Sequence, residues 1–359
     1  MGFLKGTITF APFRVIGEDQ AGFNNFFDEQ IKKFAFPDFT GEAEEKIAGW
    51  TDIADHLDRD FAEAKYAVGG YLLFSLRMDR KAAPPSLLKI RCLEAERDAL
   101  KERNIKRINR ALRDEIKERI LHDLLKKSQP IPSFYDICWN PLGKRLFFSG
   151  LADKVVDDFH GIFKETFNFT LQPFYPWDPA CLSAGQSAKL QSLEGVLWGR
   201  DFLTWLWYKS EERNGSIAFS PQEEVELVFT RRIVLASGDG DYAEQIVCQG
   251  LHAGLLEGKE ALRQGKKIKE ARVRLAVDAD VFEFTFKADR FHLQSLKLPE
   301  TLDDEDDRDA DGKTLERLYL IERPFKTMER LFGLYLDLRL SPQWDADETP
   351  RMNKWLERL

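Results

Sequence analysis

The stretch from 86 to 127 reads SLLKIRCLEAERDALKERNIKRINRALRDEIKERILHDLLKK. It contains neither Gly nor Pro and directly follows Pro84-Pro85, so it predicts one long helix or two helices broken end to end. At 1.5 Å per residue, such a helix would span on the order of 60 Å. Its apolar residues recur three or four positions apart, which predicts one face packed against a core. They are Ile105, Ile108, Leu112, Ile116 and Ile120.

Positive charge is concentrated in the same stretch. It holds 13 Lys and Arg against 8 Asp and Glu, a balance of +5, whereas the whole chain holds 53 against 61 and has a net charge of −8. The rest of the chain therefore holds 40 basic and 53 acidic residues, a balance of −13. Six of the basic residues follow the same helical spacing: Arg103, Lys106, Arg107, Arg110, Arg113 and Lys117.

This basic stripe has two interpretations. A solvated helix face stabilised by pairs such as Glu102–Lys106 would need no ligand. A helix side dense in Arg can instead neutralise several phosphates of a polyanion. The segregation of charge within an acidic chain favours the second interpretation.

The composition is that of an ordinary globular protein. The chain has 359 residues, 43% hydrophobic and 32% charged, which predicts two or three modules. The first residues, MGFLKGTITF, lack the apolar core of a secretory signal, and no stretch approaches the roughly 18 apolar residues of a membrane span. We therefore expect a cytoplasmic protein that does not enter a membrane.

The residue types that carry catalysis or bind metals form no recognisable motif. Cys92, Cys138, Cys181 and Cys248 are scattered without a CxxC pair, which predicts reduced and mostly buried thiols. No HxxxH or HExxH spacing occurs among the five His residues, and the chain has no Walker A, dinucleotide-binding GxGxxG or GxSxG motif. The sequence thus predicts no cofactor, no metal and no enzymatic activity.

Two acidic groups could in principle bind a metal ion. Asp307, Asp309, Asp311 and Gly312 copy the opening of a calcium loop, but its twelfth position is Leu318, so a solvated acidic loop is favoured. The pair most like a nuclease site, Asp278 and Asp280, occupies an apparent hairpin turn, where Asp is favoured for backbone reasons. A metal-dependent nuclease therefore stays the less favoured alternative.

Periodicity along the rest of the chain predicts a mixture of strands and helices, an α+β fold. The predicted strands are Phe3–Phe13, Tyr71–Met78, Tyr135–Asn140, Arg145–Ser149, Glu223–Leu235, Ala271–Val277 and Val281–Lys287. The predicted helices, besides the basic one, are Phe23–Phe34, Ala152–Phe167, a Trp-rich helix in Leu197–Tyr208, Tyr242–Gly265 and Leu315–Leu340.

Composition shifts divide these elements into modules. The predicted modules are an N-terminal α/β module 1–82, a long basic helical arm 83–132, a β-hairpin and helix 133–176 that complete the first module, a second α+β module 177–299, and an acidic loop with the C-terminal helix 300–359. The best candidate for the boundary between the two main modules is Tyr175–Gln191.

Three further features bear on function. A small basic cluster, Arg77, Arg80 and Lys81, leads into the arm. A second basic concentration opens the later strands with Lys266, Lys267, Lys269, Arg272 and Arg274. Trp198, Phe202 and Trp205 stand at helical spacing; core or interface packing is favoured for them over stacking on exposed bases.

In this order the motifs resemble the recombination-associated RdgC family of bacterial DNA-binding proteins. The resemblance covers most of the chain through several weak motifs. The first are Gly49-Trp50 and a strand that ends near Arg77. Next, Pro84-Pro85 begins a long charged helix that ends with Glu115, Leu121, His122, Leu124 and Leu125. The last are the strand and helix in Leu146–Phe167, then Leu203-Thr204-Trp205, and Gly265-Lys266 followed by the strand Arg272–Val277.

The resemblance implies an α+β chain that assembles as a ring-shaped homodimer around duplex DNA. It also implies a nucleoid-associated, non-catalytic role in which occupancy of the DNA restrains recombinase-driven strand exchange. The chain departs from the family after Leu125, where Lys126-Lys127-Ser128-Gln129 replaces the usual Pro-Arg-Ala-Phe, whose aromatic helps to close the ring. Ile131 is the candidate substitute, and Leu197–Tyr208 is richer in aromatics than the family pattern.

The resulting hypothesis is sequence-independent binding of double-stranded DNA, with single-stranded DNA as a second possible ligand. The residues assigned to phosphates are Arg77, Arg80, Lys81, Arg103, Lys106, Arg107, Arg110, Arg113, Lys117, Lys266, Lys267 and Lys269. The alternatives are a non-catalytic protein-interaction scaffold, whose charges only maintain solubility, and the nuclease. Whether the two basic regions share one surface is left open by the sequence.

Overall fold

Strand β1, Ile8–Ile16, joins the two halves of the molecule because it pairs with strands from both. The computed structural model describes residues 2–17, 22–37, 45–193, 195–212, 215–220, 222–238, 244–250, 254–299 and 310–357. It shows an α+β fold built on one antiparallel sheet. Among the described helices, none has both the length and the apolar character that crossing a membrane requires.

The described strands and helices alternate along the chain. After β1, the strands are β2 Lys46–Thr51, β3 Ala67–Val68, β4 Tyr71–Lys81, β5 Pro130–Asn140, β6 Arg145–Phe148, β7 Thr170–Pro173, β8 Ser216–Ser220, β9 Glu223–Ala236, β10 Gln245–Gln249, β11 Lys267–Val277, β12 Asp280–Lys287 and β13 His292–Lys297. The helices are α1 Phe23–Lys33, α2 Pro85–Glu102, α3 Arg110–Lys127, α4 Asp153–Phe167, α5 Ala184–Gln191, α6 Trp198–Glu212, α7 Gly254–Arg263, α8 Ala310–Arg339 and α9 Thr349–Glu357.

The sheet follows the order β10-β9-β11-β12-β13-β1-β6-β5-β4-β2, with β3, β7 and β8 paired to β4, β1 and β9 beside this path. β1 uses Ile8 and Phe10 to pair with β13, and its later residues to pair with β6 and β7. The strands that sequence periodicity assigned to two modules therefore form one continuous hydrogen-bonded sheet.

Two hydrophobic cores lie on opposite faces of this sheet. Alternate residues of β1 show the division: Ile8 and Phe10 belong to one core, whereas Phe13 and Val15 belong to the other. The first core contains residues of α6, α8 and α9 and the inner side of β9–β13. The second contains residues of α1 and α4. Strands β4, β5 and β6 contribute side chains to both cores, so this part of the sheet is covered on both faces.

Within the part of the chain that the structure describes, the other half of the sheet is covered on one face only. In β12, Phe282, Phe284 and Phe286 are buried in the first core. The alternating residues Glu283, Thr285 and Lys287 are only partly buried and lie on the opposite face. This polar face is called the outer face below. Its period of two is typical of an antiparallel sheet with one solvated side.

Several sequence predictions change in the structure. The first strand is Ile8–Ile16 instead of Phe3–Phe13. The helix predicted for Tyr242–Gly265 is wrong at Gln245–Gln249, which forms strand β10 against β9. The physical reason is that Ile246 and Val247 are β-branched and β9 offers an unpaired edge, which outweighs local helix preference. The helix in this segment is Gly254–Arg263.

The C-terminal region also differs from its prediction. The helix predicted for Leu315–Leu340 begins earlier, as α8 spans Ala310–Arg339, and the tail that follows contains the further helix α9. Asp311 and Gly312 therefore lie in the first turn of α8. The remainder of the predicted acidic loop, 300–309, lies outside the described residues, as do Asp307 and Asp309 of the calcium-loop comparison.

The Trp-rich helix is confirmed as a core element. Trp198, Phe202 and Trp205 lie in α6 and are buried in the first core. The indole nitrogen of Trp205 donates to Oε1 of buried Glu348 at 2.8 Å, which satisfies its polar group inside the core. These rings are therefore not available to stack on exposed bases.

We expect Phe10→Ala to lower the free energy of unfolding by about 3–5 kcal/mol, the usual cost of truncating a buried Phe. Phe10 is fully buried on the shared strand, and its ring centroid lies 4.6 Å from that of Phe147 and 6.1 Å from that of Phe325. Urea unfolding followed by tryptophan fluorescence measures the change. Ile16→Ala, at the exposed end of the same strand, is the control and should change stability by less than about 0.5 kcal/mol. Equal effects of the two substitutions would contradict the role given to Phe10.

Candidate nucleic-acid interface

The basic stretch 86–127 folds as a helical hairpin, called the arm below. α2 and α3 are inserted between β4 and β5, whose last and first residues, Lys81 and Pro130, pair with each other. The chain thus leaves the sheet at Lys81, runs out along α2, turns, and returns along α3. Each helix has 18 residues and at 1.5 Å per residue is about 27 Å long.

Local chemistry explains why the predicted long helix breaks. Asn104 has φ +48°, a left-handed conformation that Asn tolerates better than most residues and that ends a helix. Asn109 is the N-cap of α3, and its side chain accepts a hydrogen bond from the backbone N–H of Leu112 at 2.9 Å. The predicted break into two helices is therefore confirmed, whereas the single helix and the extended span of about 60 Å are wrong, because the second helix folds back on the first. The two Asn residues were the sequence signal that could have shown the turn.

The two helices of the arm pack against each other. Leu112 and Ile116 of α3 are buried, and Arg113 forms a 3.1 Å ion pair with Glu96 of α2. Part-buried residues of α2 recur along one face, at Leu88, Cys92, Ala95 and Ala99. No residue of α2 is fully buried, so the arm is a thin structure supported mainly by its own hairpin contacts.

The end of the arm carries a basic cluster, called the tip below. It consists of Arg103, Lys106, Arg107 and Arg110, all exposed. The predicted helical stripe is thus wrong for the first three, which lie in the turn between the helices; Ile105 and Ile108 lie there too. On α3 itself, Arg110, Arg113 and Lys117 do follow one another at helical spacing and are exposed.

Little negative charge compensates the tip. Residues 101–110 include five basic residues and one acidic residue, Glu102, a balance of +4. Within the described structure, Arg103, Lys106 and Arg107 form no ion pair, and Arg110 has only a long 3.8 Å contact with Asp114, its side chain being 96% exposed. The first turn of α3 adds the positive end of its helix dipole. The tip is therefore a concentrated, solvated positive charge.

The basic residues at the base of the arm are already engaged. Arg77 binds Asp79 through two 2.8 Å hydrogen bonds, and its guanidinium lies 4.0 Å from the ring centroid of Phe36. These hydrogen bonds raise the pKa of Arg77. Arg80 pairs with Asp158. Lys81 is part-buried at the end of β4. The base thus lies a full helix length from the tip, and its two Arg side chains anchor the sheet.

The second basic region is also largely engaged and lies elsewhere in the sheet. Lys266 pairs with Glu244 at 3.2 Å and Lys267 with Asp201. Lys269 lines a cleft beside β11. β11 is separated from β5 by four strands of the sheet, a distance of about 24 Å at 4.8 Å per strand. Within one chain, the strands that carry the two basic regions are therefore not neighbours.

The carboxylates considered for a nuclease are bound by a cation. Arg323 of α8 pairs with both Asp278 and Asp280 across the β11–β12 turn. A guanidinium between two carboxylates occupies the position that a divalent ion would need. Within the part of the chain that the structure describes, no group of three metal-binding side chains comes together.

Sequence reasoning missed an exposed apolar stripe on the arm. Leu87, Ile90 and Leu93 recur every third residue of α2 and are 39%, 54% and 48% exposed. Near the base of the arm, Ile131 and Phe134 of β5 are 58% and 38% exposed. The spacing of the three residues in α2 was the available signal.

No protein-family model matches the chain, and no curated protein matches it either.

We expect Asn109→Ala to destabilise α3 by about 0.5–2 kcal/mol, because the backbone N–H of Leu112 loses its cap. The effect should be local to the arm. Amide hydrogen exchange of the first turn of α3 should become faster, while exchange in β11 and β12 stays unchanged. Asn109→Ser, which retains a capping oxygen, is the matched control and should exchange like the original protein. Faster exchange throughout the sheet would contradict a local capping role.

Proposed function

We propose that this protein binds double-stranded DNA without reading its sequence, clamps or encircles it as a homodimer, and thereby limits the access of a recombinase. The observation that carries the proposal is the tip: exposed Arg and Lys side chains, without ion pairs among the described residues apart from the long Arg110–Asp114 contact, at the end of a projecting hairpin. No catalytic step or cofactor is part of this function. Single-stranded DNA offers the same phosphates and is a second ligand of the same site.

Electrostatics support a polyanion as the ligand. Outside 86–127 the chain has a net charge of −13. If the basic residues served only solubility, they would not need to be concentrated in one segment of an acidic chain. The tip is about 27 Å from the base of α2, whereas charges in physiological salt are screened over about 8 Å. The acidic body therefore does not cancel the attraction between the tip and phosphates. It would repel DNA from the rest of the surface.

The shape of the arm supports contact with the DNA backbone. Two packed helices with axes 8–10 Å apart form a hairpin about 20 Å wide, and the major groove is about 12 Å wide. The hairpin is thus too wide to enter the groove side-on with both helices. Its Arg and Lys side chains instead suit phosphates, which are identical in every sequence. Contacts to phosphates alone give binding without sequence preference.

A clamp needs a second arm, and the apolar stripe supports a second copy of the chain as its source. Leu87, Ile90 and Leu93, with Ile131 and Phe134, form exposed apolar surface close to the arm. Apolar surface of this kind is favourably buried against a matching surface. Two chains joined there would place two tips on one DNA molecule. The resemblance of the motif order to the RdgC family implies the same assembly.

The scaffold alternative uses the same apolar stripe for a different protein partner. It gives the tip no ligand, so it predicts no retention of DNA even at low salt. The nuclease alternative is disfavoured because Arg323 binds the two carboxylates that it requires.

The first prediction concerns DNA binding. Arg103→Glu/Arg107→Glu/Arg110→Glu should weaken binding of a labelled duplex at least hundredfold, because three cations at the tip become anions. Fluorescence anisotropy at several salt concentrations measures this. The slope of log K against log salt should fall by about 2.7, because each of the three phosphate pairings accounts for about 0.9 of that slope. Duplexes of different sequence should bind the unchanged protein equally well.

A matched control separates the tip from net charge. Lys65→Glu/Lys313→Glu/Lys354→Glu makes the same change in charge at positions outside the arm. It should leave the affinity within a few-fold. Equal losses in the two variants would mean that only the total charge matters, and no binding by the unchanged protein at low salt would favour the scaffold.

A second prediction concerns assembly. Ile90→Glu/Leu93→Glu should shift a homodimer toward the monomer, because two carboxylates would have to be buried in the joined apolar surfaces. Sedimentation-velocity measurements over a range of protein concentrations report the change. Leu142→Glu, at an isolated residue that is 93% exposed, is the control and should not alter assembly. A dimer that persists in the first variant would place the interface elsewhere.

A further inference from the structure

A second basic site lies on the opposite part of the sheet from the arm. It is a cleft of about 390 Å³ where β11 begins, β12 ends and β13 begins. Four cations line it, Arg200, Lys269, Lys287 and Arg290, together with the imidazole of His292 and a single carboxylate, Asp289. The function proposed above makes no use of this arrangement.

The backbone directs Lys269 to the outer face. In the pairing of β11 with β9, Ile268 lies opposite Leu235 and Glu270 opposite Val234, so Lys269 is an extra residue in a β-bulge. Ile268 and Ala271 point into the core, which leaves both Lys269 and Glu270 between them on the outer face. A bulge re-aims a side chain in this way, and bulges are frequent next to binding sites.

Cross-strand pairing places Lys287 and His292 next to the bulge that carries Lys269 and Glu270. Lys287 of β12 lies opposite Glu270 on one side and opposite His292 of β13 on the other. The cleft also adjoins the layer formed by α1 and α4, because Arg290 pairs with Asp153 at the start of α4. The cleft thus lies where the layer of α1 and α4 ends and the polar outer face of β11–β13 begins.

The carboxylates near the cleft are already paired with its cations. Asp289 accepts two hydrogen bonds from the guanidinium of Arg200, at 2.6 and 2.8 Å. Asp153 binds Arg290, and Glu270 binds Lys287 and, at 3.4 Å, Arg232. Three carboxylates therefore face five cations. Among the described residues, Lys269 has no ion-pair or hydrogen-bond partner for its ammonium group.

The imidazole of His292 is a second group without a partner. The residue is 9% exposed, lines the cleft, and has no hydrogen bond to any residue that the structure describes. Burial, followed by the charges of Arg290 and Lys287, lowers the pKa of His292 to about 4. At neutral pH the ring is thus uncharged and offers one N–H donor into a recess with positive potential.

We propose that this cleft binds the phosphate group of a small anion, a diphosphate or a phosphate monoester, with the Lys269 ammonium and the His292 N–H as direct ligands. A doubly charged oxyanion matches the excess of cations, and it offers more charge and more acceptor oxygens than a single carboxylate. The cleft is larger than one phosphate, so the rest of the ligand has room. The proposal does not rest on DNA binding by the tip.

The test uses the full chain and inorganic pyrophosphate as the probe. Isothermal titration calorimetry should show saturable binding by the unchanged protein, and Lys269→Gln should weaken it at least tenfold. Lys297→Gln removes an exposed Lys from β13, two strands away from Lys269, and should bind like the unchanged protein. No binding at concentrations up to about 10 mM, or equal binding by both variants, would overturn the proposal.

An NMR titration checks the second ligand independently of affinity. The His292 ring signal, assigned by its loss in His292→Gln, should titrate near pH 4 in the free protein. Saturating sulfate, which does not titrate in this range, should raise that midpoint, because a nearby anion favours the charged imidazolium. An unchanged midpoint would remove His292 from the site.

Two sources could supply the phosphate group, a free metabolite or the 5′ end of a nucleic acid. The Arg103→Glu/Arg107→Glu/Arg110→Glu variant is used so that the tip does not contribute to oligonucleotide binding. In this background, an oligonucleotide with a 5′ phosphate that binds better than its 5′-hydroxyl form would assign the cleft to nucleic-acid ends. Equal weak binding of both forms, with pyrophosphate still bound, would assign it to a free phosphate compound.

Discussion

The whole structure depends on the backbone pairing of β1. This strand hydrogen-bonds to β13 through its first residues and to β6 through its middle residues, so a single nine-residue segment joins the two halves of the sheet. Its pleat sends Ile8 and Phe10 into one core and Phe13 and Val15 into the other. A slip of one residue would exchange the two faces and disrupt both cores together. The register of β1 is therefore the constraint that holds the two halves in one body.

The arm is possible because the sheet is continuous without it. β4 and β5 pair along nearly their full lengths, up to Lys81 and Pro130, so the chain between them can leave the sheet as a hairpin. The hairpin buries little surface, and its helices depend on one another and on the Asn109 cap. In return, it holds its positive charge beyond the screening distance from an acidic body. This separation is the physical basis of the proposed DNA contact.

The cleft lies on a part of the sheet that, among the described residues, the layer of α1 and α4 does not cover. The helices α1 and α4 cover only the strands of the first half, so polar residues of β11–β13 stay on an open face. A bulge and two cross-strand neighbours then gather Lys269, Lys287 and His292 in one recess. The arm presents its charge to solvent, whereas the cleft holds its charge in a partly buried site. The two basic regions of the sequence thus differ in chemistry, although their composition is similar.

The sequence by itself determined the α+β class, the positions of most strands and helices, and the segregation of basic charge in 86–127. Those features depend on local periodicity and composition, as in α4 and the core helix α6. Only the tertiary structure decided that the basic stretch is a hairpin, that Arg77 and Arg80 are engaged in ion pairs, and that Lys269 lies in a cleft. The tertiary structure also decided that Gln245–Gln249 is a strand, because this segment hydrogen-bonds to the edge of β9. Pairing partners, bulges and ion pairs join residues that are distant in sequence, and no local pattern encodes them.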